Sequence, residues 1–261
     1  MKYSFSYLIS IQFLGFRFSG WQKQPNVKTI HDMLDKSLSY AFGDFNFKTI
    51  GVGRTDAKVS AGKYYVQLFR DEKIEITQFL KLLNDNLSAD FRALTIREVS
   101  NKFNIINAPK IKEYHYYFSF CEKNHPFAAP FIVAILDNLN IEKMKQGAKL
   151  FEGTHFFHKY CTKPSENTIF KRQIESCEIV ENTILTASFF PKKSYILKVR
   201  GKGFLRYQIR LIMATLFELG KGNVDVSFIE DSLKENNDRR HLRNIAPSSG
   251  LQLYDVTLIT E

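Results

Sequence analysis

Apolar and polar residues alternate along several short stretches of the chain, as they do in half-buried β-strands, and other stretches repeat apolar residues at helical spacing. In the first part of the chain, these patterns predict strands over 7–13, 45–50 and 64–69 and around Leu94 and Ile96. They also predict a helix that begins at a Thr29 cap and a helix over 77–87. The resulting order of strand, helix, strand, strand, helix, strand is that of a ferredoxin-like unit.

The second part of the chain follows a junction at 109–112. Its patterns predict a strand over 114–120, a helix between Asn140 and Gly153, a hairpin of 173–180 and 184–190, and a strand over 195–199. A mostly apolar helix over 204–219 that stops at Gly220, a helix over 226–234, a polar and basic loop over 236–243 and a strand over 251–256 complete it. Because strands and helices mix here without βαβ alternation, we expect an antiparallel sheet.

These elements together predict the fold class. We expect an α+β protein of two ferredoxin-like halves, residues 1–108 and 109–261, with a mixed, mainly antiparallel sheet and a cleft between the halves. A chain of 261 residues, of which 44% are hydrophobic, can fill the cores of two such halves.

The charge of the chain favours a polyanionic partner. Lysine and arginine outnumber aspartate and glutamate by 37 to 27, which gives a net charge of +10 and a pI near 9.4. Charge alone does not separate a nucleic acid from an anionic membrane surface, or either from a merely basic enzyme. No apolar window is long enough to cross a bilayer and no cleavable signal is visible. Cys121, Cys161 and Cys177 suit reduced thiols, so we expect a cytoplasmic protein.

The chemistry is predicted to lie between the strands over 45–50 and 64–69. The connecting run Gly51-Val52-Gly53-Arg54-Thr55-Asp56-Ala57-Lys58-Val59-Ser60-Ala61 has the glycines and short polar residues of an ordered loop. A loop between two strands can present a side chain on a rigid scaffold. Asp56 could therefore be a nucleophile, a general base or a turn-capping aspartate, and the string alone favours the turn.

Three other features, one loop and two single residues, could have either a functional or a purely packing role. The loop over 14–25 mixes aromatic rings and amides that could contact unpaired bases, although its composition alone favours a packed surface loop anchored by Trp21. Tyr114 stands on a strand, where most tyrosines only pack. Arg210 stands in the mostly apolar helix over 204–219, so it either has an acidic partner or points to solvent from the polar edge.

Taken in order, these stretches resemble the TruA family of tRNA pseudouridine synthases. The resemblance rests on the Gly20-Trp21-Gln22-Lys23-Gln24 run, the Gly53–Ala57 signature, the tyrosine block over 112–116, the Gly203–Arg210 block and the Ala246–Leu253 block. It extends from about Gly15 to Leu253. Its specificity comes from the number and the order of the blocks.

The resemblance implies an isomerase that converts uridine to pseudouridine in structured RNA, above all in the anticodon stem-loop of tRNA. It implies that Asp56 is the catalytic nucleophile, that Arg210 pairs with Asp56 and keeps it ionised, and that Tyr114 stacks on the target base. It further implies a homodimer and no cofactor. The residues expected to contact RNA or the substrate are Arg54, Leu251, Gln22 and Lys58.

Several residues depart from the family pattern. Lys58 replaces a glycine, Ser60 replaces a histidine and Ile106 stands where an arginine is usual. These changes leave open an alternative, in which the chain is a diverged RNA-binding protein or chaperone with another target or no catalysis. A DNA-binding regulator is remote, because no helix-turn-helix or zinc finger is recognisable.

The histidines of the second half raise the question of a metal site. His155, His158 and Cys161 are spaced at intervals of three, as metal ligands can be. No fourth ligand pattern lies nearby, and the family chemistry needs no metal. We therefore expect no metal in this protein.

Overall fold

The computed structural model describes residues 3–235 and 242–259. Contacts divide the chain into two compact units: the first runs to Lys110 and includes the chain again from Leu253, and the second is Ile111–Gln252. The predicted halves, residues 1–108 and 109–261 with a cleft between them, stay a prediction. Of the basic loop predicted over 236–243, residues 236–241 lie outside the described residues.

The first unit has the predicted order of elements. It contains β1 (Phe5–Phe13), α1 (Ile30–Phe42), β2 (Phe47–Gly51), β3 (Ser60–Arg70), α2 (Ile76–Asn86) and β4 (Phe91–Val99). These strands follow the order β4-β1-β3-β2, and each neighbouring pair is antiparallel. The prediction of a ferredoxin-like unit is therefore confirmed here. Because β2 and β3 are neighbours, the chain between them is a hairpin connection.

Caps and aromatic packing hold the two helices of the first unit. The Thr29 hydroxyl accepts a hydrogen bond from the Asp32 N–H at 3.4 Å, which confirms the predicted start of α1. Gly43, with φ of 78°, ends the helix. The rings of Phe42 on α1 and Phe79 on α2 stack with their centroids 4.4 Å apart. This packing joins the two helices.

The second unit is built from strands and helices in mixed order. It contains β5 (Lys110–Phe120, of which Lys110 belongs to the first unit), β6 (Val133–Ile135), α3 (Ile141–Lys149), β7 (Gly153–Phe156), β8 (Lys171–Glu181), β9 (Tyr195–Gly201), α4 (Gln208–Lys221) and α5 (Val226–Ser232). Its strands follow the order β5-β9-β8-β7 in antiparallel pairs, whereas β6 pairs with β5 in parallel. The α+β class with a mixed, mainly antiparallel sheet is confirmed.

The strand β10 (Leu251–Leu258) completes the described chain. From Leu253 onward it belongs to the first unit, where it lies beside β3 and Lys63 Nζ is 3.1 Å from Asp255. The last strand thus returns to the unit in which the chain began. None of the described α-helices combines the length and the apolar character needed to cross a membrane.

The hairpin predicted over 173–180 and 184–190 is wrong in its second strand. The partner of β8 on that side is β9, and residues 184–190 form an irregular segment of bends with one turn. The side-chain oxygen of Asn182 accepts hydrogen bonds from the Ile184 and Leu185 N–H groups at 3.2 and 3.0 Å. An asparagine that binds the backbone two residues ahead holds a turn, so the chain leaves the sheet at this point.

Helix boundaries in the second unit also differ from the prediction. The long helix begins at Gln208 and not at 204, because Tyr207 has φ of 64°, a left-handed conformation that an α-helix interior does not contain. It runs to Lys221 and is capped by Gly222, with φ of 80°, so it continues through Gly220, where the predicted helix stops. Similarly, α3 ends at Lys149, and Gly153 begins β7. The predicted Asn140 cap of α3 is confirmed by its hydrogen bond from the Lys143 N–H.

Candidate active site

The loop predicted to carry the chemistry does connect two antiparallel strands, β2 and β3. The Val52 N–H extends the pairing by donating to the Tyr65 carbonyl at 2.9 Å, and the Val59 N–H donates to the Asp56 carbonyl at 3.2 Å. The second bond closes a turn that begins at Asp56. Asp56 is half-buried.

The loop after β1, residues 14–28, supports this connection from one side; we call it the support loop. The Trp21 N–H donates to the Thr55 carbonyl at 3.1 Å, and the Lys58 N–H donates to the Phe18 carbonyl at 3.0 Å. These bonds satisfy backbone groups on both sides of Asp56. The loop predicted as a packed surface loop anchored by Trp21 therefore also fixes the backbone around the aspartate.

Two glycines of the support loop allow this close approach. Gly20 has φ of 91°, and a Cβ at this position would lie 2.6 Å from the Thr55 carbonyl oxygen. A Cβ at Gly15 would overlap the Val59 carbonyl. Any larger residue at either position would push the two loops apart. Glycine is therefore required at both positions, because only a residue without a Cβ lets the backbones of the two loops come this close.

The residues expected to bind RNA in the first unit lie on exposed surface. Arg54, Lys58 and Gln22 are all exposed. Lys58 has φ of 67°, and its ammonium lies 5.6 Å from the centroid of the Phe16 ring. The first unit therefore brings together a half-buried aspartate and exposed cations, an arrangement that can bind a phosphate group near the Asp56 loop.

The second unit holds the predicted tyrosine on β5. Tyr114 is half-buried and lies opposite Val199 of β9. Its ring meets the Phe204 ring edge to face, with centroids 5.3 Å apart and planes at 90°. This contact is favourable for two aromatic rings and sets the plane of the Tyr114 ring.

Arg210 lies in the first turn of α4 and is half-buried. Its Nε donates to the Ala246 carbonyl at 2.7 Å, and its guanidinium carbon lies 4.7 Å from the centroid of the Tyr207 ring. The Ala246 N–H in turn donates to the Arg210 carbonyl at 3.1 Å. Arg210 is thus tied by both its side chain and its backbone to the Ala246–Leu253 block, which we call the C-terminal block.

The C-terminal block is also held by β5. The Tyr116 hydroxyl donates to the Pro247 carbonyl at 2.7 Å, and burial raises the pKa of this phenol, while the charge of Arg210 opposes the rise. Gly250 packs against β5, where a Cβ would lie 2.7 Å from the Tyr117 carbonyl oxygen. Leu251, which follows, is buried.

The structure thus groups the predicted residues by unit. Asp56, Arg54 and Lys58 share one loop of the first unit, with Gln22 on the adjoining support loop. In the second unit, Arg210 binds the block that leads to Leu251, and Tyr114 packs on Phe204 at the approach to α4. The pairing of Asp56 with Arg210 stays a prediction.

Sequence reasoning missed Tyr64. Its hydroxyl donates to the Gly53 carbonyl within the loop, and its ring lies 4.4 Å from that of Trp21. The sequence pattern identified Tyr64 only as a strand former. A glycine at 51, which faces the Tyr64 hydroxyl and the Trp21 ring, was the available signal for such close packing.

Two of the three residues considered as metal ligands, His155 and Cys161, lie in other surroundings. His155 Nε2 hydrogen-bonds to the Glu152 carbonyl at 2.7 Å, and Cys161 is buried, with its pKa raised by that burial. Within residues 3–235 and 242–259, no group of three or more histidine, cysteine, aspartate or glutamate side chains is arranged to hold a metal ion.

Comparisons with known proteins agree with the resemblance of the motifs. A family model described as tRNA pseudouridine synthase matches residues 148–257. A tRNA pseudouridine synthase A 2 of Bacillus cereus is 31% identical over 252 residues, which are 96% of this chain and 98% of that protein. The tRNA pseudouridine synthase A of Clostridium kluyveri is 31% identical over 94% of this chain and 96% of its own. That of Aquifex aeolicus is 29% identical over 97% and 99%. The chain therefore belongs to the TruA family of tRNA pseudouridine synthases, a family of isomerases.

Proposed function

We propose that the protein isomerises uridine to pseudouridine in the anticodon stem-loop of tRNA, with Asp56 as the nucleophile. The observation that carries this proposal is the loop between β2 and β3, on which a half-buried Asp56 follows backbone that is bound by the support loop. A nucleophile held in this way needs little further ordering when the substrate arrives. Family membership supplies the type of reaction.

The proposed reaction exchanges one bond for another within the same nucleoside. The N1–C1′ glycosidic bond of uridine breaks, the uracil rotates, and a C5–C1′ bond forms. The proton on C5 leaves and N1 gains a proton, so the composition of the nucleoside does not change. The Asp56 carboxylate forms a transient covalent bond, either with the uracil ring or with the anomeric carbon, and is regenerated when that bond breaks. No cofactor and no energy source enter this balance.

We assign the supporting roles from charge and shape. Arg210 keeps Asp56 ionised, since a nearby positive charge favours the carboxylate. Its guanidinium is oriented by the bond from Nε to the Ala246 carbonyl. Tyr114 stacks on the uracil that has left its helix, and the edge-to-face contact with Phe204 supports its ring in that task.

The RNA-binding residues follow from their exposure. Arg54, Lys58 and Gln22 are exposed around the loop, where they can contact phosphates and unpaired bases. Leu251 is different, because it is buried, and its proposed role is to supply an apolar wall for the base. The net charge of +10 supports a polyanionic substrate.

We also propose that the protein is a homodimer in the cytoplasm, in which one tRNA contacts both subunits. The assembly is tested by measuring the mass in solution with and without tRNA, and the location by cell fractionation. A monomer that modifies tRNA at full rate would remove the dimer from the proposal.

The central test is the substitution Asp56→Asn. The wild-type protein should form pseudouridine in unmodified tRNA transcripts, which chemical mapping detects at single-nucleotide resolution. Asp56→Asn should form none, while its affinity for tRNA stays within about twofold of wild type, because the amide keeps the shape of the carboxylate. Asp85→Asn, an exposed aspartate of α2, is the matched control and should retain full activity.

The outcomes separate the proposal from its alternative. A wild-type protein that binds tRNA without modifying it would favour a diverged RNA-binding protein or chaperone. Full activity in Asp56→Asn would remove the nucleophile while leaving the enzyme. Pseudouridine at positions outside the anticodon stem-loop would correct the target alone.

A further inference from the structure

Tyr64 connects the Asp56 loop to the core of the first unit. Its side chain on β3 is fully buried, at 0% exposure, and its hydroxyl donates to the carbonyl of Gly53. Gly53 lies three residues before Asp56. The Tyr64 ring is packed between Phe13, at 5.5 Å, and Trp21, at 4.4 Å between centroids. The hydroxyl therefore reaches the loop from a ring that is itself tightly held.

Gly51 makes this position of the ring feasible. A Cβ at residue 51 would lie 2.5 Å from the Trp21 ring and would overlap the Tyr64 hydroxyl. No side chain fits between these groups. The end of β2 therefore lies directly against the two rings that hold the loop.

The backbone of Trp21 binds the Thr55 carbonyl, two residues after the Gly53 carbonyl that Tyr64 binds. The Trp21 backbone N–H donates to the Thr55 carbonyl. The Trp21 indole stacks on the His31 ring, with the ring centroids 4.9 Å apart. His31 Nε2 hydrogen-bonds to Thr49 Oγ1 at 2.7 Å, which anchors the stack to β2. Tyr64 and Trp21 thus hold the two carbonyls on either side of Arg54, immediately before Asp56.

We propose that Tyr64 is a positioning residue for Asp56: its hydroxyl fixes the Gly53 carbonyl, and with it the direction in which the loop presents the carboxylate. The inference rests on the proposed function, because it concerns the reaction of Asp56 with the nucleoside. A displacement of about 1 Å at a reacting group can lower a rate about a hundredfold. One buried hydrogen bond at the start of the loop can therefore affect catalysis without touching the substrate.

Tyr64→Phe tests this role, because it removes the hydroxyl and keeps the ring between Phe13 and Trp21. Tyr7→Phe is the matched control. Tyr7 is also a fully buried tyrosine of the same sheet, and its hydroxyl accepts a hydrogen bond from the Ile74 N–H at 2.9 Å. Each variant loses one buried hydroxyl that is bonded to backbone, so the two should lose comparable stability.

Two measurements distinguish a positioning role from a structural one. Amide hydrogen exchange over 52–59 should accelerate about tenfold in Tyr64→Phe and remain at the wild-type rate in Tyr7→Phe. The single-turnover rate of pseudouridine formation at saturating tRNA should fall about tenfold to a hundredfold in Tyr64→Phe alone. The dissociation constant for tRNA should stay at the wild-type value in both variants.

Equal exchange over 52–59 in the two variants would overturn the proposal, and so would a faster-exchanging loop with an unchanged rate. A wild-type protein that forms no pseudouridine is a different result, since it overturns the proposed function itself and this role with it. If a higher tRNA concentration restored the rate of Tyr64→Phe to the wild-type value, the hydroxyl would act in tRNA binding. This result would also overturn the positioning role.

Discussion

Lys58 has a backbone conformation that residues with a Cβ rarely adopt. Its φ is 67°, and the left-handed region costs such a residue about 1–2 kcal/mol. Glycine avoids this cost but loses about 0.5–1 kcal/mol more backbone entropy on folding. The free energy of unfolding of Lys58→Gly should therefore exceed that of Lys58→Ala by about 0.5–1 kcal/mol. Both variants lack the ammonium over Phe16, so the comparison isolates the backbone.

The same two variants test the role of Lys58 in RNA binding. A lysine that contacts one phosphate contributes about 0.7–0.9 to the slope of log affinity against log salt. Both variants should lose that contribution equally, because neither carries the charge. Urea unfolding gives the free energies, and fluorescence anisotropy with an unmodified tRNA between about 50 and 200 mM salt gives the slopes.

Lys81→Ala is the control for the loss of one positive charge, since Lys81 is exposed on α2. Its salt slope should stay at the wild-type value. Equal stabilities of Lys58→Gly and Lys58→Ala would refute the strain argument. A salt slope in both variants that matches Lys81→Ala would remove Lys58 from the RNA contacts.

Three further substitutions test packing, protonation and capping. Gly51→Ala should lower the free energy of unfolding by about 1–3 kcal/mol, because its Cβ would meet the Trp21 ring; wild-type stability in urea would contradict this. Burial lowers the pKa of His115, partly opposed by Glu113, so the unfolded chain binds the proton more readily. The free energy of unfolding should keep its full value above pH about 6.5 and should decrease as the pH falls below that value. His115→Gln should reduce this decrease, as measured by urea unfolding at several pH values. An equally steep decrease in the variant would exclude His115 as the cause. Asn140→Ala should cost about 1 kcal/mol, whereas Asn140→Asp, which keeps the cap, should cost little; equal losses in urea unfolding would contradict a capping role.

Strand and helix periodicity predicted the first unit well because its elements are regular. β1 is a run of mostly apolar and strand-forming residues, and α1 has both a capping threonine and a terminal glycine. The second unit was harder to predict from the sequence. Tyr207 takes a left-handed conformation that no periodicity indicates, so the start of α4 was placed four residues early. Asn182 turns the chain away from the sheet before an apolar run that otherwise has the composition of a strand.

The location of the Asp56 loop between two strands was predictable, because both flanking runs are rich in strand-forming residues. Its supports were not predictable. Tyr64 meets Gly53 through a register that only the folded hairpin defines, and Trp21 reaches Thr55 from a loop more than thirty residues away. Contacts of this kind depend on which strands become neighbours, as β1 and β3 do.

The turn and catalytic interpretations of the Gly53–Ala57 string are therefore compatible, since each depends on the same backbone. Gly20 permits the support loop to touch Thr55, and Gly51 permits Tyr64 and Trp21 to pack beneath the loop. These contacts fix the conformation of the loop backbone from the core side. The exposed side of the loop can therefore hold Lys58 in its strained left-handed conformation while the loop keeps its geometry. Under the proposed function, Gly20→Ala and Gly51→Ala should therefore lower the single-turnover rate of pseudouridine formation by displacing Asp56, even in variants that remain folded. A wild-type rate in a folded variant would contradict this.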